Sequence, residues 1–99
     1  MPWVRAETSW QDQKIRIYRS RYDEAAQITA ALHIRRQTLL TEIRAEDLNG
    51  LDTTTKARRL RQTDDELDLA RKSLQAAWAA LEIEESRHHI THQPREARR

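Results

Sequence analysis

The side chains best suited to metal chemistry in this 99-residue sequence lie near its carboxyl end. On a continuous helix Glu84, His88 and His92 share one face, and Glu85 with His88 forms the Glu-x-x-His pair of carboxylate di-iron bundles. Such a site also needs a carboxylate from a facing helix, and the helix pairing argued below sets Arg16 against Glu85, which would repel a cation. We therefore expect a solvated helix end with its histidines beside the C-terminal dipole, and no bound metal or other cofactor.

Two basic segments and a basic tail offer phosphate-binding chemistry. The second segment spans residues 56–61, the tail covers residues 89–99, and the first segment consists of Lys14, Arg16, Arg19 and Arg21. A small nucleic-acid-binding protein that uses residues 14–21 and the Arg-rich tail, with a tyrosine stacking on bases, is one function that fits them. We disfavour it because acidic segments of the same chain are expected opposite both basic segments, and because the net charge is only +2.

No enzymatic motif accompanies these groups. The sequence has no Cys, a single Gly, no Gly-rich phosphate loop and no Gly-x-Ser-x-Gly nucleophile motif. Residues 53–55 are all Thr, which is typical of helix capping rather than of a nucleophile. We therefore predict a protein that is not an enzyme and has no catalytic residues.

The elements that position these residues are two helices. Apolar residues recur at steps of three, four and seven up to residue 48, and a leucine heptad follows after residue 53. Between them, Asn49 and Gly50 suit a left-handed helix stop, and Asp52 or Thr53 can cap the next helix. The sequence predicts an all-α fold, a long antiparallel hairpin with helices over 9–48 and 53–88 and a turn at 49–52. Residues 1–8 form an N-terminal flank and 89–99 a basic tail.

One local alternative concerns residues 14–18, which alternate with a period of two and are therefore also compatible with a short strand. We favour helix because the three-four pattern runs through them. Folding the chain about the turn then sets Arg35 against Glu66 and Arg36 against Asp65, which fixes the register. The predicted seam between the helices consists of Ile28, Leu32, Leu60, Leu67, Ala70, Leu74, Ala77 and Leu81.

Several large apolar residues broaden the apolar surface beyond this seam, and we expect them to contact other subunits. They are Trp3, Trp10, Tyr18, Tyr22, Leu39, Ile43 and Trp78. A two-helix hairpin has one seam and buries a modest part of its surface, so its second apolar edge needs cover. We expect the hairpin to pack as an oligomeric helical bundle.

The length and hairpin organisation resemble small secreted helical hairpins that have a Trp-x-Gly turn, but the turn here is Leu48-Asn49-Gly50. Encapsulated ferritins are similar in their hairpin and in a Glu-x-x-His pair such as Glu85 and His88, but the sequence here offers no convincing facing carboxylate. Neither resemblance carries the role of a residue over to this chain.

The sequence therefore predicts a non-enzymatic assembly protein that makes protein–protein contacts in a homo-oligomer or a larger complex, for example a virion or secretion machinery. Nucleic-acid binding is the alternative, and a metal-binding helical oligomer is a weaker one. No run of about 18 apolar residues is present, so we expect no membrane span. We expect a cytoplasmic location, or incorporation in a particle assembled there.

Overall fold

A computed structural model describes the backbone of residues 2–92 and the side chains of residues 10–87. Over that range the chain forms two α-helices, α1 (Pro2–Leu48) and α2 (Thr54–His92), and no strand. The predicted all-α hairpin is confirmed. The alternative strand at residues 14–18 is wrong, because these residues lie within α1.

Both helices extend further than the sequence pattern indicates. Helix α1 begins at Pro2 rather than near residue 9, and α2 ends at His92 rather than near residue 88. Proline is tolerated in a first helical turn, where its missing N–H has no partner to lose, and nothing from residue 3 to Leu48 interrupts the helix. Part of the predicted flank and residues 89–92 of the predicted tail are thus helical. Residues 93–99 lie outside the described part of the chain.

The turn is a Schellman stop built around Gly50. This glycine has a φ of 69°, a left-handed conformation in which a Cβ is unfavourable. Its N–H donates to the carbonyl of Asp47 (3.0 Å), and the N–H of Leu51 donates to the carbonyl of Glu46 (2.9 Å). The carboxylate of Asp52 then accepts hydrogen bonds from the hydroxyl and the N–H of Thr54, which lower the pKa of Asp52. Residues 49–53 thereby end one helix and begin the next.

The chain divides into two compact units, each of which contains a part of α1 and a part of α2. The turn unit is Ala25–Leu74, and the terminal unit combines Met1–Glu24 with Gln75–Arg99. In each unit the buried and half-buried side chains together follow steps of three and four, which is the periodicity of a coiled-coil seam.

In the turn unit the buried side chains are Thr29, Leu32, Leu39, Thr63 and Leu67. The two threonine hydroxyls donate to backbone carbonyls four residues earlier in their helices, over 2.8 Å and 2.9 Å, so their burial leaves no hydroxyl unsatisfied. Leu60, Ala70 and Leu74 are half-buried on the same seam.

Ile28, which the sequence analysis assigns to the seam, is 51% exposed, and the neighbouring Thr29 is buried in its place at 8%. The steps of three and four that lead from Leu39 through Arg36 to Leu32 continue to Thr29 and not to Ile28. One helical position is a rotation of about 100°, which is enough to carry Ile28 out of the seam.

Ion pairs in the turn unit join the two helices in nearly the predicted register. Arg35 lies 3.5 Å from Glu66, as the sequence predicts. Arg36 pairs with Asp64 at 2.7 Å rather than with Asp65, because Asp65 lies about 100° further round α2, away from the seam that contains Thr63 and Leu67.

Lys56 lies between two carboxylates of α1 in the same unit. It is 3.2 Å from Glu42 and forms a hydrogen bond with Glu46. The bond to Glu46, and then the one to Glu42, raise the pKa of Lys56. Lys56 stands near the N-terminus of α2, where the helix dipole disfavours a cation, so its carboxylate partners offset that unfavourable position.

The terminal unit has a smaller aliphatic core and more aromatic and polar packing. Ile15 and Leu81 are buried, and the rings of Tyr22 and Trp78 pack with centroids 5.2 Å apart at an interplanar angle of 54°. Ala77 is half-buried on the α2 side of this seam. Glu84 is also buried, with 9% of the residue exposed, and it occupies a seam position where the turn unit has leucines.

Candidate functional site

Large apolar side chains stay exposed on the terminal unit, and three of them define the candidate site. Trp10 is 59% exposed, Ile17 50% and Ile83 55%. Trp10 and Ile17 are seven residues apart in α1, so they project from the same face of that helix. Neighbouring exposed apolar groups of this size are typical of interaction surfaces.

Lys14 links this face of α1 to α2. It stands between Trp10 and Ile17 on the same helical face, four and three residues away, and its ammonium lies 5.6 Å from the centroid of the Trp10 ring. The same ammonium is 4.0 Å from Oε1 of Glu84 in α2. Lys14 therefore holds an aromatic face and a carboxylate of the other helix together.

Glu84 receives a second cation from its own helix. The guanidinium of Arg87 is 3.7 Å from Oε2 of Glu84, and the Glu84 side chain is only 11% exposed. Arg87 follows Ile83 by four residues, so these two share a face of α2. We use the name Trp10 surface for Trp10, Lys14, Ile17, Ile83 and Arg87, in which exposed apolar groups lie beside two cations held by one buried carboxylate.

Tyr18 and the remaining aromatic pair lie partly inside the unit. Tyr18 is half-buried, and the guanidinium of Arg21 lies 5.4 Å from its ring centroid. Tyr22 is half-buried against Trp78, which is itself 48% exposed. The predicted interface residues Tyr22 and Trp78 thus contact each other within the chain, and Trp78 still presents an exposed edge.

Two of the other residues predicted for the interface lie in the turn unit. Leu39 is 7% exposed and occupies the seam, so this residue is not available to a partner, and the expectation that it makes intersubunit contacts is wrong. Its position continues the three-four pattern of Leu32 and Arg36, which explains the burial. Ile43, four residues further along α1, is half-buried. The side chain of Trp3 lies outside the described residues.

The first basic segment is only partly paired with carboxylates. Lys14 contacts Glu84. Glu85 pairs with Arg19 at 3.1 Å, and not with Arg16 as the sequence predicts. Among the side chains of residues 10–87, Arg16 and Arg21 have no carboxylate oxygen within 4.0 Å. Two of the four cations of this segment are therefore paired with a carboxylate of α2.

Of the metal-ligand candidates near the carboxyl end, the side chains of Glu84 and Glu85 lie within the described residues. Glu85 is hydrogen-bonded by Arg19, and the side chains of His88 and His92 lie outside the described residues. No group of three or more His, Cys, Asp or Glu residues suited to a metal ion occurs among residues 10–87.

The sequence analysis named Trp10 as an interface residue, Lys14 as a nucleic-acid contact and Glu84 as a metal-ligand candidate, and it did not single out Ile17 or Ile83. A signal for Ile17 was present, since Trp10 and Ile17 are seven residues apart in the sequence. The burial of Glu84 had no sequence signal, because a carboxylate in an acidic segment is normally expected in solvent.

No protein-family model matches the chain, and comparison with curated proteins and with solved structures gives no match. Neither described helix has a stretch that is long and apolar enough to cross a bilayer.

Proposed function

We propose that the chain is a non-enzymatic structural protein that assembles with copies of itself, and through them joins a larger protein complex, by contacts at the Trp10 surface. The observations that carry this proposal are the exposure of Trp10, Ile17 and Ile83 and the meeting at Glu84 of Lys14 and Arg87, which share the helix faces of these three residues. Removal of exposed apolar area from water favours association, and the gain must exceed the freedom that the two partners lose. We also propose a cytoplasmic location, or a place in a particle assembled there.

The composition of the Trp10 surface supports protein as the partner. Two of its three apolar members, Ile17 and Ile83, are aliphatic and offer no flat ring for stacking on a base, whereas aliphatic and aromatic side chains together are typical of the centre of a protein–protein contact. Trp10 is of the residue type most often found as an anchor in such contacts. Lys14 stands beside this anchor and is already engaged with Glu84.

Nucleic-acid binding by residues 14–21 is the second candidate function. Its support is that Arg16 and Arg21 have no carboxylate within 4.0 Å among the described side chains, and that Arg21 lies against the Tyr18 ring. This function predicts affinity for DNA or RNA that falls steeply as salt rises. Contacts at an apolar surface predict little dependence on salt.

The test is the mass of the chain in solution, measured by light scattering over a range of concentrations. We expect the wild-type mass to rise above the 11.7 kDa of one chain as concentration increases. The variant Ile17→Ser/Ile83→Ser should shift this rise to about tenfold or higher concentration, because two exposed aliphatic groups are removed from the contact.

A matched control replaces two exposed aliphatic residues by Ser elsewhere in the chain. Ile34→Ser/Leu48→Ser alters aliphatic residues of the turn unit that are 68% and 87% exposed. This control should assemble as the wild type does. A wild type that stays at the mass of one chain, or two variants that behave alike, would contradict the proposed function.

A further inference from the structure

A stripe of four charges runs along the outer face of α2 in the turn unit. Its members are spaced by three, four and three residues, so they lie on one face of the helix, and all of them are exposed. They are Arg58, Arg61, Asp65 and Asp68. The two cations come first and the two carboxylates follow, and Lys72, four residues beyond Asp68 on the same face, is a fifth exposed charge that pairs with Asp68 of its own chain.

The arrangement of this stripe is unfavourable for the helix that carries it. Arg58 and Arg61 are three residues apart on one face, and so are Asp65 and Asp68, so each pair places like charges side by side. Within the described side chains, neither arginine has a carboxylate oxygen within 4.0 Å, and Asp65 has no Lys, Arg or His nitrogen within that distance. Asp68 lies 3.3 Å from Lys72 of its own helix. The stripe is thus a set of exposed charges that the turn unit itself leaves mostly unpaired.

The charges of the stripe are arranged symmetrically about the level of Thr63 along α2, although Thr63 itself is buried in the seam. Arg58 and Asp68 are each five residues from it, and Arg61 and Asp65 are each two residues from it, with opposite charges at equal distances. A two-fold axis perpendicular to α2 at the level of Thr63 would bring the stripes of two chains face to face. Each arginine of one stripe would then lie opposite an aspartate of the other. In an isologous contact of this kind residue i meets residue j and residue j meets residue i.

We infer that the outer face of α2 is a two-fold contact at which two copies of this chain pair antiparallel about Thr63. Arg58 of each copy faces Asp68 of the other, and Arg61 of each faces Asp65 of the other, which makes four ion pairs between chains. The occupant is a second copy because charge reversal about Thr63 makes the stripe complementary to itself. The inference rests on the proposed self-assembly and adds a second contact, in the turn unit, to the Trp10 surface.

Exposed ion pairs are individually weak, so four of them select the partner and the register more than they hold the complex. Their contribution decreases as salt screens the charges. Contact at the stripe should therefore be specific in its charge pattern and sensitive to salt, which distinguishes it from the apolar contact at the Trp10 surface.

The experiment separates the two contacts by placing every stripe variant in the Ile17→Ser/Ile83→Ser background, where the Trp10 surface is weakened. One chain carries Arg58→Glu/Arg61→Glu and a second carries Asp65→Arg/Asp68→Arg. Native mass spectrometry at low salt resolves their homodimers and the heterodimer, because the chains differ in mass. We expect each variant alone to lose its dimer, and the mixture to form about tenfold more heterodimer than either homodimer.

Two further variants keep the result interpretable. Arg59→Glu/Arg71→Glu makes the same change in net charge at exposed positions outside the stripe and should leave the dimer of the background chain unchanged. Reversal of all four stripe charges in one chain should restore the homodimer. Circular dichroism checks that each variant remains helical.

Absence of any dimer in the background chain, or absence of a heterodimer from helical variants, would overturn the two-fold contact. Neither result bears on the proposed function, which is decided by the wild-type mass and by the substitutions of the Trp10 surface. A wild type that remains at the mass of one chain would overturn both.

Discussion

The turn unit and the terminal unit place their cations in different surroundings. In the turn unit, arginine and lysine side chains pair with carboxylates across the two helices, as Arg36 does with Asp64. In the terminal unit, Lys14 and Arg19 also pair with carboxylates across the helices, but Lys14 and Arg21 in addition lie against aromatic rings, and a buried Glu84 takes a seam position. Both units thus use ion pairs to fix the pairing of their helices, and the terminal unit adds contacts between cations and aromatic rings.

From this difference we expect that stability and interaction depend on different residues. Side chains that pair the helices are expected to matter for the free energy of unfolding, and the members of the Trp10 surface are expected to matter for assembly. The following predictions test that separation, from the largest expected effect to the smallest.

Truncation of a buried leucine should give the largest loss of stability. Leu67 is 3% exposed, so Leu67→Ala should lower the free energy of unfolding by about 2 to 5 kcal/mol, as a cavity is left in the seam. Ile83→Ala, at a position that is 55% exposed, should cost under about 0.5 kcal/mol. Urea unfolding followed by circular dichroism measures both. Equal losses would show that Ile83 belongs to the core and not to a docking surface.

A smaller loss is expected at the turn. Gly50→Ala should cost about 1 to 2 kcal/mol, because a Cβ is unfavourable at a φ of 69°, although no atom lies within 4 Å of the added group. Gly50→Asn is the matched control and should cost less, since Asn tolerates this conformation better. If thermal unfolding places the two variants at the same midpoint, the left-handed stop does not stabilise the turn unit.

The ion pairs across the helices should show weak coupling that differs between units. A double-mutant cycle with Arg36→Ala and Asp64→Ala should give a coupling of about 0.2 to 1 kcal/mol that decreases in salt. The cycle with Arg19→Ala and Glu85→Ala should give less, because the pair is longer, 3.1 Å against 2.7 Å, and Arg19 is 63% exposed against 36% for Arg36. A stronger coupling for the terminal pair would reverse the comparison.

The smallest effects concern pH and are confined to the turn unit. The raised pKa of Lys56 means that its contribution to stability is complete below the ordinary lysine pKa of about 10.4 and is lost as the pH rises through the raised value. The lowered pKa of Asp52 contributes above the ordinary value of about 3.9 and is lost as the pH falls through the lowered one. Melting temperatures against pH should lose the alkaline step in Lys56→Met and the acid step in Asp52→Asn. Unchanged profiles in these variants would contradict the assigned contacts.

The sequence predicted the two helices and the turn better than it predicted which side chains of each helix are buried. The end of α1 at Leu48 followed from Asn49 and Gly50, because few residues adopt the left-handed stop that they form. The seam position next to Leu32 was misassigned, since an apolar Ile28 was preferred over Thr29, whose hydroxyl is satisfied by its own helix. Residue type alone does not show that a threonine hydroxyl has a hydrogen-bond acceptor within its own helix.

The candidate site was predictable only in part. Trp10 stood out because large apolar anchors are few in a chain without Phe. Ile83 did not stand out, because its place in the Trp10 surface depends on the position of Arg87 beside Glu84. That position depends in turn on which face of α2 meets α1. Pairing between helices is a tertiary property, and heptad spacing within one helix does not determine it.

The most direct test of the account follows Trp10 itself during assembly. In a chain with Trp3→Phe and Trp78→Phe, Trp10 is the only indole, and its fluorescence can be recorded over the concentrations at which the mass rises. The account predicts a shift of the emission to shorter wavelength and weaker quenching by acrylamide as the mass increases, because the ring passes from water into a protein contact. Emission that stays at the wavelength of an exposed indole while the mass increases would contradict assembly through the Trp10 surface.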